Sequence, residues 1–411
     1  MKIKLLPSEI NSSSAIAITG SKSETNRLLL LQALYPELIL KNTSNSDDSQ
    51  VMTKALKSEE TVVDIHHAGT AMRFLTSYFA VQQGREVVLT GSTRMQERPI
   101  SILVDALRQL GADITYEKTE GYPPIRIKGT KIEKRQVSLK ADVSSQYISA
   151  LLLVAPGLEN GLELTLEGTL TSIPYIKMTL ALLAEIGIAT TFEGNTITVA
   201  HQAKTITAQE VTVESDWSSA SYFYSIAAMA KPGTTIALTS YKENSFQGDS
   251  DLVALYRHFG VESVFENNTL TLKKTAVKIE DALSFNLQNT PDIAQTIAVT
   301  CFGLGISCHL SGLHTLKIKE TDRLLALQNE LTKLGAVITV TNDSLTLEAA
   351  AVINPDVPIA TYQDHRMAMA FAPLALRVPL VIEEAGVVSK SYPDFWEDLK
   401  KIGFKIQEIN E

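Results

Sequence analysis

The sequence predicts an α/β fold of two similar domains, each made of three repeated units. Three observations lead to this prediction: a recurring helix–glycine–hairpin pattern, a length beyond that of one hydrophobic core, and an ordinary globular composition. The chain has 411 residues, whereas a single domain usually holds about 100 to 200. It is 45% apolar and 20% charged, which is typical of a packed globular protein.

The repeated pattern is an amphipathic helix ending in an apolar residue and glycine, followed by an alternating strand, a polar turn and a second alternating strand. Glycine suits the helix end because the backbone there often turns to positive φ. The copies recur at intervals of about 70 residues, beyond the roughly 20 to 50 of solenoid repeats, so each copy is expected to be a small α/β unit. The helix-end glycines are Gly111, Gly187, Gly260, Gly335 and Gly403.

The order of the elements follows from these copies. Strand-like stretches precede the helices at "EVVLTG", "LELTLEG" and "TTIALTS". The last copy, "FWEDLKKIGFKIQEI", is truncated, and a degraded sixth copy, "VMTKALKSEETVVDI", precedes the first. The first strand, "MKIKLLP", is therefore expected to pair with the second half of the chain. We predict a first domain of residues 1–20 with 214–411, and a second of residues 21–213.

The chain is then expected to cross between the domains near Ala15 to Lys22 and again near Val213 to Asp216. Two such crossovers form a hinge, and substrates usually bind in the cleft between domains of this kind. The sequence therefore predicts that Lys22 lies at a substrate cleft.

Charge and composition exclude several functions. The net charge of −9 opposes binding to nucleic acid or an anionic membrane, because dense positive charge holds both. The chain lacks an apolar run of about 18 residues and a targeting segment, so we expect a soluble cytoplasmic protein. The histidines show no metal-ligand spacing, and Cys301 and Cys308 are expected in the core. A small-molecule substrate is predicted.

Several segments place cations beside glycine, hydroxyls or carboxylates. The first, "GSKSETNR" (20–27), is similar to the end of a nucleotide-binding loop, but Ala15 stands where that loop needs glycine. The segment could still bind a smaller phosphate. The cations in such segments are Lys22, Arg27, Arg73, Arg94, Arg98, Lys319, Arg323, Arg366 and Lys390.

Each candidate also has a purely structural alternative. Arginines at element ends are commonly solvated or salt-bridged, and short polar residues there commonly cap helices. Against this, Asp364-His365-Arg366 directly precedes an apolar helix, and a helix N-terminus favours anions. The same reasoning applies to Arg73 and Arg323. The residues with a structural alternative are Arg98, Arg323 and Arg366 as salt-bridged cations, and Ser144, Ser145, Thr321 and Asp292 as N-caps.

Eight motifs resemble, in order and over nearly the whole chain, those of the EPSP synthases in the enolpyruvyl transferase family. Any one of them is weak, but eight in order are specific. The resemblance implies two domains of three βαβαββ-type units each, with the substrate cleft between them. The motifs are "GSKSETNR", "AGTAMR", "RMQERPI", "SSQ", "PDIA", "KETDR", "DHRMAM" and "SKSYPDF".

The resemblance also implies a reaction of the shikimate pathway. Phosphoenolpyruvate gives its enolpyruvyl group to the 5-hydroxyl of shikimate 3-phosphate, and phosphate is released. The two phosphates and two carboxylates carry about −5 to −6 of charge in total, which accounts for the cations. The resemblance implies acid–base chemistry without a cofactor or metal, and inhibition by glyphosate. A monomer is predicted, with small-molecule substrates and no nucleic-acid or membrane partner.

The resemblance assigns residues to both substrates. Asp292 and Glu320 are the candidate acid–base pair, with the roles of acid and base left open, and Lys22 and His365 support them. Shikimate 3-phosphate would be held by Lys22, Ser23, Arg27, Ser144, Ser145, Gln146, Ser172, Asp292 and Lys319. Phosphoenolpyruvate would be held by Lys22, Gly69, Arg94, Gln146, Arg323, Arg366 and Lys390.

The chain departs from the usual pattern at His67, Phe74 and Thr315, so Thr315 is left out of the assignments. Two other functions stay open from the sequence. One is enolpyruvyl transfer to UDP-N-acetylglucosamine, which is disfavoured because no cysteine lies between Gly91 and Ile100. The other is a non-catalytic scaffold of repeats, which predicts diffuse basic faces rather than cations at element ends.

Overall fold

Buried apolar side chains form two cores, one in each half of the fold. A computed structural model describes residues 1–140, 144–168, 173–202, 206–277 and 279–409. It divides into a first unit, Met1–Thr19 with Glu214–Glu411, and a second unit, Gly20–Val213. Gly20, predicted in the first domain, belongs to the second unit. A Cβ at Gly20 would lie 2.0 Å from the carbonyl oxygen of Asn42 and 2.7 Å from Cγ1 of Val213, so this glycine permits a close approach within that unit.

The strands and helices follow one another in the order that the repeats predict. In the described residues the strands are β1 Lys2–Leu5, β2 Ser13–Ile16, β3 Leu38–Lys41, β4 Val62–Asp64, β5 Glu86–Thr90, β6 Asp113–Tyr116, β7 Ile125–Lys128, β8 Gln136–Lys140, β9 Leu162–Glu167, β10 Thr190–Glu193, β11 Thr196–Val199, β12 Gln209–Thr212, β13 Thr235–Thr239, β14 Val261–Glu266, β15 Thr269–Lys274, β16 Ala282–Asn286, β17 Ser307–Ser311, β18 Ile338–Val340, β19 Leu345–Leu347, β20 Val357–Ile359, β21 Leu380–Ile382 and β22 Ile406–Ile409. The α-helices are α1 Lys22–Leu34, α2 Asp47–Lys57, α3 Gly69–Ala80, α4 Thr93–Gln96, α5 Ser101–Leu110, α6 Ser145–Val154, α7 Ile173–Glu185, α8 Trp217–Met229, α9 Leu252–Leu255, α10 Ala294–Leu304, α11 Arg323–Lys333, α12 His365–Phe371 and α13 Phe395–Ile402.

The βαβαββ unit is complete in the sheet β4-β5-β7-β6. Strand β4 runs parallel to β5, and α3 connects them. Helix α5 then leads into the antiparallel hairpin β6–β7, whose second strand pairs with β5. The sheets β8-β9-β11-β10 and β16-β17-β19-β18 repeat this order. The predicted α/β class and its repeated unit are confirmed.

Distant strands complete two further units. Strand β1 lies between β21 and β22 and is antiparallel to both, so it supplies the strand that the truncated last copy lacks. Strand β2 runs parallel to β13 at the edge of the sheet β14-β15-β13-β2. The prediction that the first strand pairs with the second half of the chain is confirmed.

The degraded copy forms a smaller unit. Strand β12 pairs in parallel with β3, and the described residues add no hairpin to this two-stranded sheet. Helix α2 instead leads into β4, the first strand of the next unit.

The predicted helix ends are also confirmed. Gly111 and Gly403 have φ of 109° and 114° directly after α5 and α13. This left-handed conformation favours glycine because a Cβ would be strained there. Cys301 and Cys308 are both buried. Among the described helices, none is long and apolar enough to cross a membrane.

Candidate active site

Asp292 is the centre of a charged cluster in the first unit. It lies in the short 3₁₀ helix Pro291–Ile293, just before α10, whose N-cap is Ile293. The N-cap alternative for Asp292 is therefore wrong. Its Oδ1 lies 2.9 Å from Nη1 of Arg323 and 3.3 Å from Nζ of Lys319, and its Oδ2 lies 3.3 Å from Nη2 of Arg366. Three of the predicted site cations thus converge on one carboxylate.

Arg323 links three carboxylates from the first turn of α11. Asp322 caps this helix by accepting a hydrogen bond from the N–H of Leu325, which fixes the position of Arg323 as the first helical residue. Besides Asp292, the Arg323 guanidinium donates to Oε2 of Glu320 at 2.7 Å and to Oδ2 of Asp364 at 2.6 Å. The side chain is only 2% exposed. Arg323 is therefore a buried salt-bridge partner in the cluster, and the solvated alternative is excluded.

Asp364 connects α11 to α12. Its side chain caps α12 by accepting the N–H of Arg366 at 2.8 Å, while its other oxygen bonds Arg323. His365 follows it and is buried, with Nδ1 4.0 Å from Oδ1 of Asp364. The motif "DHR" therefore orders the helix start as well as supplying site residues. The sequence predicts His365 and Arg366 as site residues but not Asp364, although the same motif contains it.

A second buried carboxylate reaches the cluster through a serine. Nη2 of Arg366 lies 3.2 Å from Oγ of Ser218, and Ser218 donates a hydrogen bond to Oδ2 of Asp249. Ser218 lies in the first turn of α8, and Asp249 lies in the 3₁₀ helix Gly248–Asp251. Neither residue is predicted from the sequence, because neither lies in a recognisable motif.

The two aspartates have opposite pKa shifts. Burial by itself would raise the pKa of Asp292, but Lys319, Arg366 and Arg323 together hold that pKa well below its usual range. Burial, with a further contribution from the negative charge of Asp292, raises the pKa of Asp249 to about 7. Since environments that separate the pKa values of two acids are a feature of acid–base sites, the cluster is suited to proton transfer.

Lys390 and Glu320 lie at the borders of this cluster. Lys390 ends the 3₁₀ helix Ala385–Lys390, and its Nζ donates to the carbonyl oxygen of Gln363 at 2.6 Å. The side chain of Glu320 is 38% exposed, compared with 14% for Asp292. Oγ1 of Thr315 is buried and has no hydrogen-bond partner among the described residues.

The second unit contains the other predicted site residues. At the start of α1, Nζ of Lys22 lies 3.3 Å from Oδ2 of Asp48. Asp48 and His67 are among the residues lining a cavity of about 260 Å³. His67, which departs from the usual family pattern, therefore lies at the wall of a cavity and is close in the chain to Gly69.

Arg27 is anchored inside the second unit. Its guanidinium donates to the carbonyl oxygen of Ser23 at 2.8 Å and to the hydroxyls of Thr179 and Ser149 at 2.8 and 3.0 Å. It also lies 5.4 Å from the ring centroid of Phe74. Burial lowers the pKa of Arg27 to about 10. These contacts fix the first turn of α1, which carries Lys22 and Ser23.

Arg73 is structural, which corrects the expectation of an anion site there. Its guanidinium is buried and donates to the carbonyl oxygens of Gly69 and Pro99 at 3.1 and 3.2 Å. Arg98 lies against Gly69 instead: a Cβ at Gly69 would be 2.7 Å from Nη1 of Arg98. At the start of α3, the backbone of Gly69 therefore lies in close contact with the side chain of Arg98.

The remaining predicted residues lie near helix starts. Ser144 caps α6, as its structural alternative predicts, and Ser145 is buried in the first turn. Nε2 of Gln146 donates to Oγ1 of Thr70 at 3.2 Å, which joins α6 to α3. Arg94 is exposed and pairs with Glu97 at 2.9 Å. Ser172 lies outside the described residues.

Comparison with known proteins identifies the family. The model of the family described as EPSP synthase (3-phosphoshikimate 1-carboxyvinyltransferase) matches residues 52–399. The 3-phosphoshikimate 1-carboxyvinyltransferase of Bacteroides fragilis strain YCH46 is 45% identical over 405 residues, covering 98% of this chain and 97% of its own length. The enzyme of the same name from Shewanella pealeana is 34% identical, covering 95% of this chain and 97% of its own length.

Solved structures show the same fold. EPSP synthase from Acinetobacter baumannii has a TM-score of 0.82 at 20% identity, covering 99% of this chain and all of its own. The enolpyruvyl transferase NikO from Streptomyces tendae has a TM-score of 0.72 at 14% identity, covering 100% of this chain and 99% of its own. The sequence matches cover nearly the whole chain and the fold agrees with them, so this chain belongs to the EPSP synthase family.

Proposed function

We propose that this chain transfers the enolpyruvyl group of phosphoenolpyruvate to the 5-hydroxyl of shikimate 3-phosphate, with release of phosphate, on the pathway to chorismate. The reaction proceeds by addition and then elimination. In the addition, the methylene carbon of phosphoenolpyruvate gains a proton, and the hydroxyl oxygen bonds to the neighbouring carbon as it loses its own proton. In the elimination, the resulting methyl group loses a proton and phosphate leaves.

Asp292 is the base that accepts the hydroxyl proton in the addition. The single observation that best supports this role is its contact with three cations, which keeps the carboxylate ionised. A base with such a low pKa is weak. The phosphate and carboxylate of a bound substrate would draw positive charge away from Asp292 and raise its pKa towards neutral, where general bases are most efficient.

Glu320 is the acid that protonates the methylene carbon. It is more exposed than Asp292 and pairs with one side of Arg323, so it can exchange protons with solvent between turnovers. His365 and Lys22 support charge balance during both steps. As in other enzymes with two carboxylates, different surroundings assign different roles to the same chemical group.

The assigned cations bind the substrate anions, since charge-assisted hydrogen bonds are the strongest available for phosphate and carboxylate. Shikimate 3-phosphate is assigned to Lys22, Ser23, Arg27, Ser144, Ser145, Gln146, Ser172, Asp292 and Lys319. Phosphoenolpyruvate is assigned to Lys22, Gly69, Arg94, Gln146, Arg323, Arg366 and Lys390. We expect the protein to act as a cytoplasmic monomer without a nucleic-acid or membrane partner, and light scattering would test its mass in solution.

The test of this mechanism is turnover in D₂O. Addition places a deuteron on the methylene carbon, and elimination can then remove either hydrogen isotope, so the vinyl group of the product should contain deuterium by mass spectrometry. A product formed without deuterium incorporation would contradict addition–elimination.

A further inference from the structure

The chain makes an unusual turn immediately before Asp364. Tyr362 and Gln363 are consecutive non-glycine residues with φ of 55° and 56°. Side chains are disfavoured in this left-handed region because Cβ crowds the following carbonyl group. Two such residues in succession persist only where surrounding contacts hold them, and such strain is concentrated at functional sites.

This turn sets the position of residues in the proposed phosphoenolpyruvate site. Asp364 and Arg366 follow it directly, and Asp364 both bonds Arg323 and caps Arg366. The carbonyl oxygen of Gln363 accepts the hydrogen bond from Lys390. A change in the turn would therefore move the cations of α12 and of the segment that ends at Lys390.

Glu330 holds the turn from α11 and has no role in the proposed chemistry. Its carboxylate is fully buried; one oxygen accepts the Tyr362 hydroxyl at 2.7 Å, and the other accepts the N–H of Ala360 at 3.1 Å. Nζ of Lys333 neutralises both oxygens at 2.8 and 2.7 Å. Glu330 follows Arg323 by about two helical turns, so the helix that presents Arg323 also grips the turn.

A second carboxylate contacts the turn from its other side. Glu384, just before the helix that carries Lys390, accepts hydrogen bonds from Nε2 of Gln363 and from the hydroxyl of Thr361, the latter at 3.1 Å. Glu384 is exposed, whereas Glu330 is buried. Because water can replace the exposed contacts more easily, Glu330 is the stronger constraint on the turn.

We propose that Glu330 is a positioning residue: by fixing the Tyr362–Gln363 turn it holds Arg366 and Lys390 where they bind phosphoenolpyruvate. This inference rests on the proposed function for the identity of the ligand. Glu330 itself does not contact substrate. The hydrogen bond from the Tyr362 hydroxyl connects Glu330 to the turn. Replacing either residue should therefore weaken phosphoenolpyruvate binding in the same way.

Steady-state kinetics of Glu330→Gln and Tyr362→Phe test the proposal. Glutamine keeps the shape but replaces one acceptor oxygen with a donor, so it cannot accept from both Ala360 and Tyr362. We expect the KM for phosphoenolpyruvate to rise about tenfold in Glu330→Gln and by a smaller factor in Tyr362→Phe. The kcat and the KM for shikimate 3-phosphate should each stay within about twofold, since the acid–base pair is retained.

Asp398→Asn is the matched control. Asp398 is likewise a buried carboxylate that accepts a tyrosine hydroxyl, from Tyr392 at 2.6 Å, and pairs with a lysine three residues on, Lys401 at 2.7 Å. Within the part of the chain that the structure describes, its side chain bonds Tyr392 and Lys401 and not the turn, so its loss should lower the melting temperature without raising the KM for phosphoenolpyruvate. If the KM for phosphoenolpyruvate rises equally in Asp398→Asn, a general loss of stability rather than the position of the turn is responsible.

Hydrogen exchange provides a readout that does not depend on activity. Amide exchange in the segment 358–368 should accelerate in Glu330→Gln and remain unchanged in Asp398→Asn. Unchanged exchange together with an unchanged KM would overturn the proposal, and Tyr362→Phe decides the matter if Glu330→Gln does not fold. A wild-type chain without activity would contradict the proposed function, while the exchange result would still decide whether Glu330 holds the turn.

Discussion

Asp249 and Asp292 show how neighbouring residues give one chemical group two different properties. Both are largely buried, and burial disfavours the charged form of each. Asp292 faces three cations, which outweigh its burial. Asp249 bonds Ser218 and is repelled by Asp292, and the attraction of Arg366 does not offset its burial, so burial dominates. The charges in contact with each carboxylate therefore decide its state at neutral pH.

This difference predicts a pH dependence of stability. The pKa of Asp249 is raised from 3.8 to about 7 in the folded chain, so the folded state keeps a proton that the unfolded state releases. Stability from this group should fall as pH rises from about 4 to about 7. Asp292 stays ionised over this range. We expect the melting temperature of Asp249→Asn to fall less between pH 5 and pH 8 than that of the wild type, and identical pH slopes would contradict the assignment.

Removing the Asp292 side chain should lower the turnover rate much more than it weakens substrate binding. In Asp292→Ala the three cations lose a carboxylate that competes with substrate anions, so the KM for phosphoenolpyruvate should not rise. Turnover should fall by roughly 10²-fold or more, the usual scale for general acid–base catalysis. Calorimetric titration with shikimate 3-phosphate would show whether the variant still binds. Turnover within a few-fold of the wild type would exclude Asp292 as the base.

Gly69→Ala should discriminate between phosphoenolpyruvate and glyphosate. The added Cβ would lie 2.7 Å from Nη1 of Arg98, and the end of this flexible side chain can move aside. The variant should therefore fold normally but have a more crowded site. We expect the inhibition constant for glyphosate, the longer molecule, to rise by a larger factor than the KM for phosphoenolpyruvate. Equal factors would show that Gly69 does not line the site.

At this scale the sequence predicts residue types better than contacts. The motifs identify Asp292, Glu320 and Arg323, which the structure brings together. The link from Arg366 through Ser218 to Asp249 could not be predicted, because it joins residues far apart in the chain without a motif. The anion site expected at Arg73 is wrong, because periodicity does not show whether an arginine turns outwards or back onto backbone carbonyl groups.

At the scale of elements, strand β1 is the clearest case of a long-range requirement. It lies between two antiparallel partners of the last unit, β21 and β22. Ile3 and Leu5 face the core and are fully buried, while Lys4 points the other way and pairs with Asp356. The last unit therefore depends on residues from the start of the chain.

This arrangement predicts unequal effects for adjacent substitutions. Leu5→Ala should reduce the free energy of unfolding by about 2 to 5 kcal/mol, because it leaves a cavity in the core. Lys4→Ala, its matched control on the same strand, should cost less than about 1 kcal/mol because an exposed ion pair contributes little. Urea unfolding measures both. Equal losses of unfolding free energy in the two variants would contradict the assignment of β1 as a central strand with one buried face.

The repeat explains why the elements were largely predictable. Alternating strands and helix-end glycines such as Gly111 and Gly403 are local signals, and the structure has positive φ at both. Pairing between strands that are distant in the chain is harder to predict from the sequence. The pairing of β12 with β3, for example, depends on tertiary contacts alone. Helix α9 is only four residues long, because the chain tightens there into the 3₁₀ helix Tyr256–Phe259.

For the whole molecule, the order of eight motifs carries more information than any one of them. Most motifs supply a cation, hydroxyl or carboxylate near the start of a helix, whereas Lys390 ends one, and the repeated unit places helix ends throughout the chain. Net charge predicts a small-molecule substrate rather than a nucleic acid or an anionic membrane, but it does not choose the acceptor substrate. That choice depends on the detailed positions of side chains, which periodicity does not determine.

The most direct test of the proposed function is phosphate release by the wild-type chain with phosphoenolpyruvate and one of two acceptors. Shikimate 3-phosphate and UDP-N-acetylglucosamine would be compared under the same conditions, with phosphoenolpyruvate alone as the blank. We expect phosphate release, with an equal amount of enolpyruvyl product, only when shikimate 3-phosphate is present. Release with UDP-N-acetylglucosamine instead, or no release with either acceptor, would contradict it.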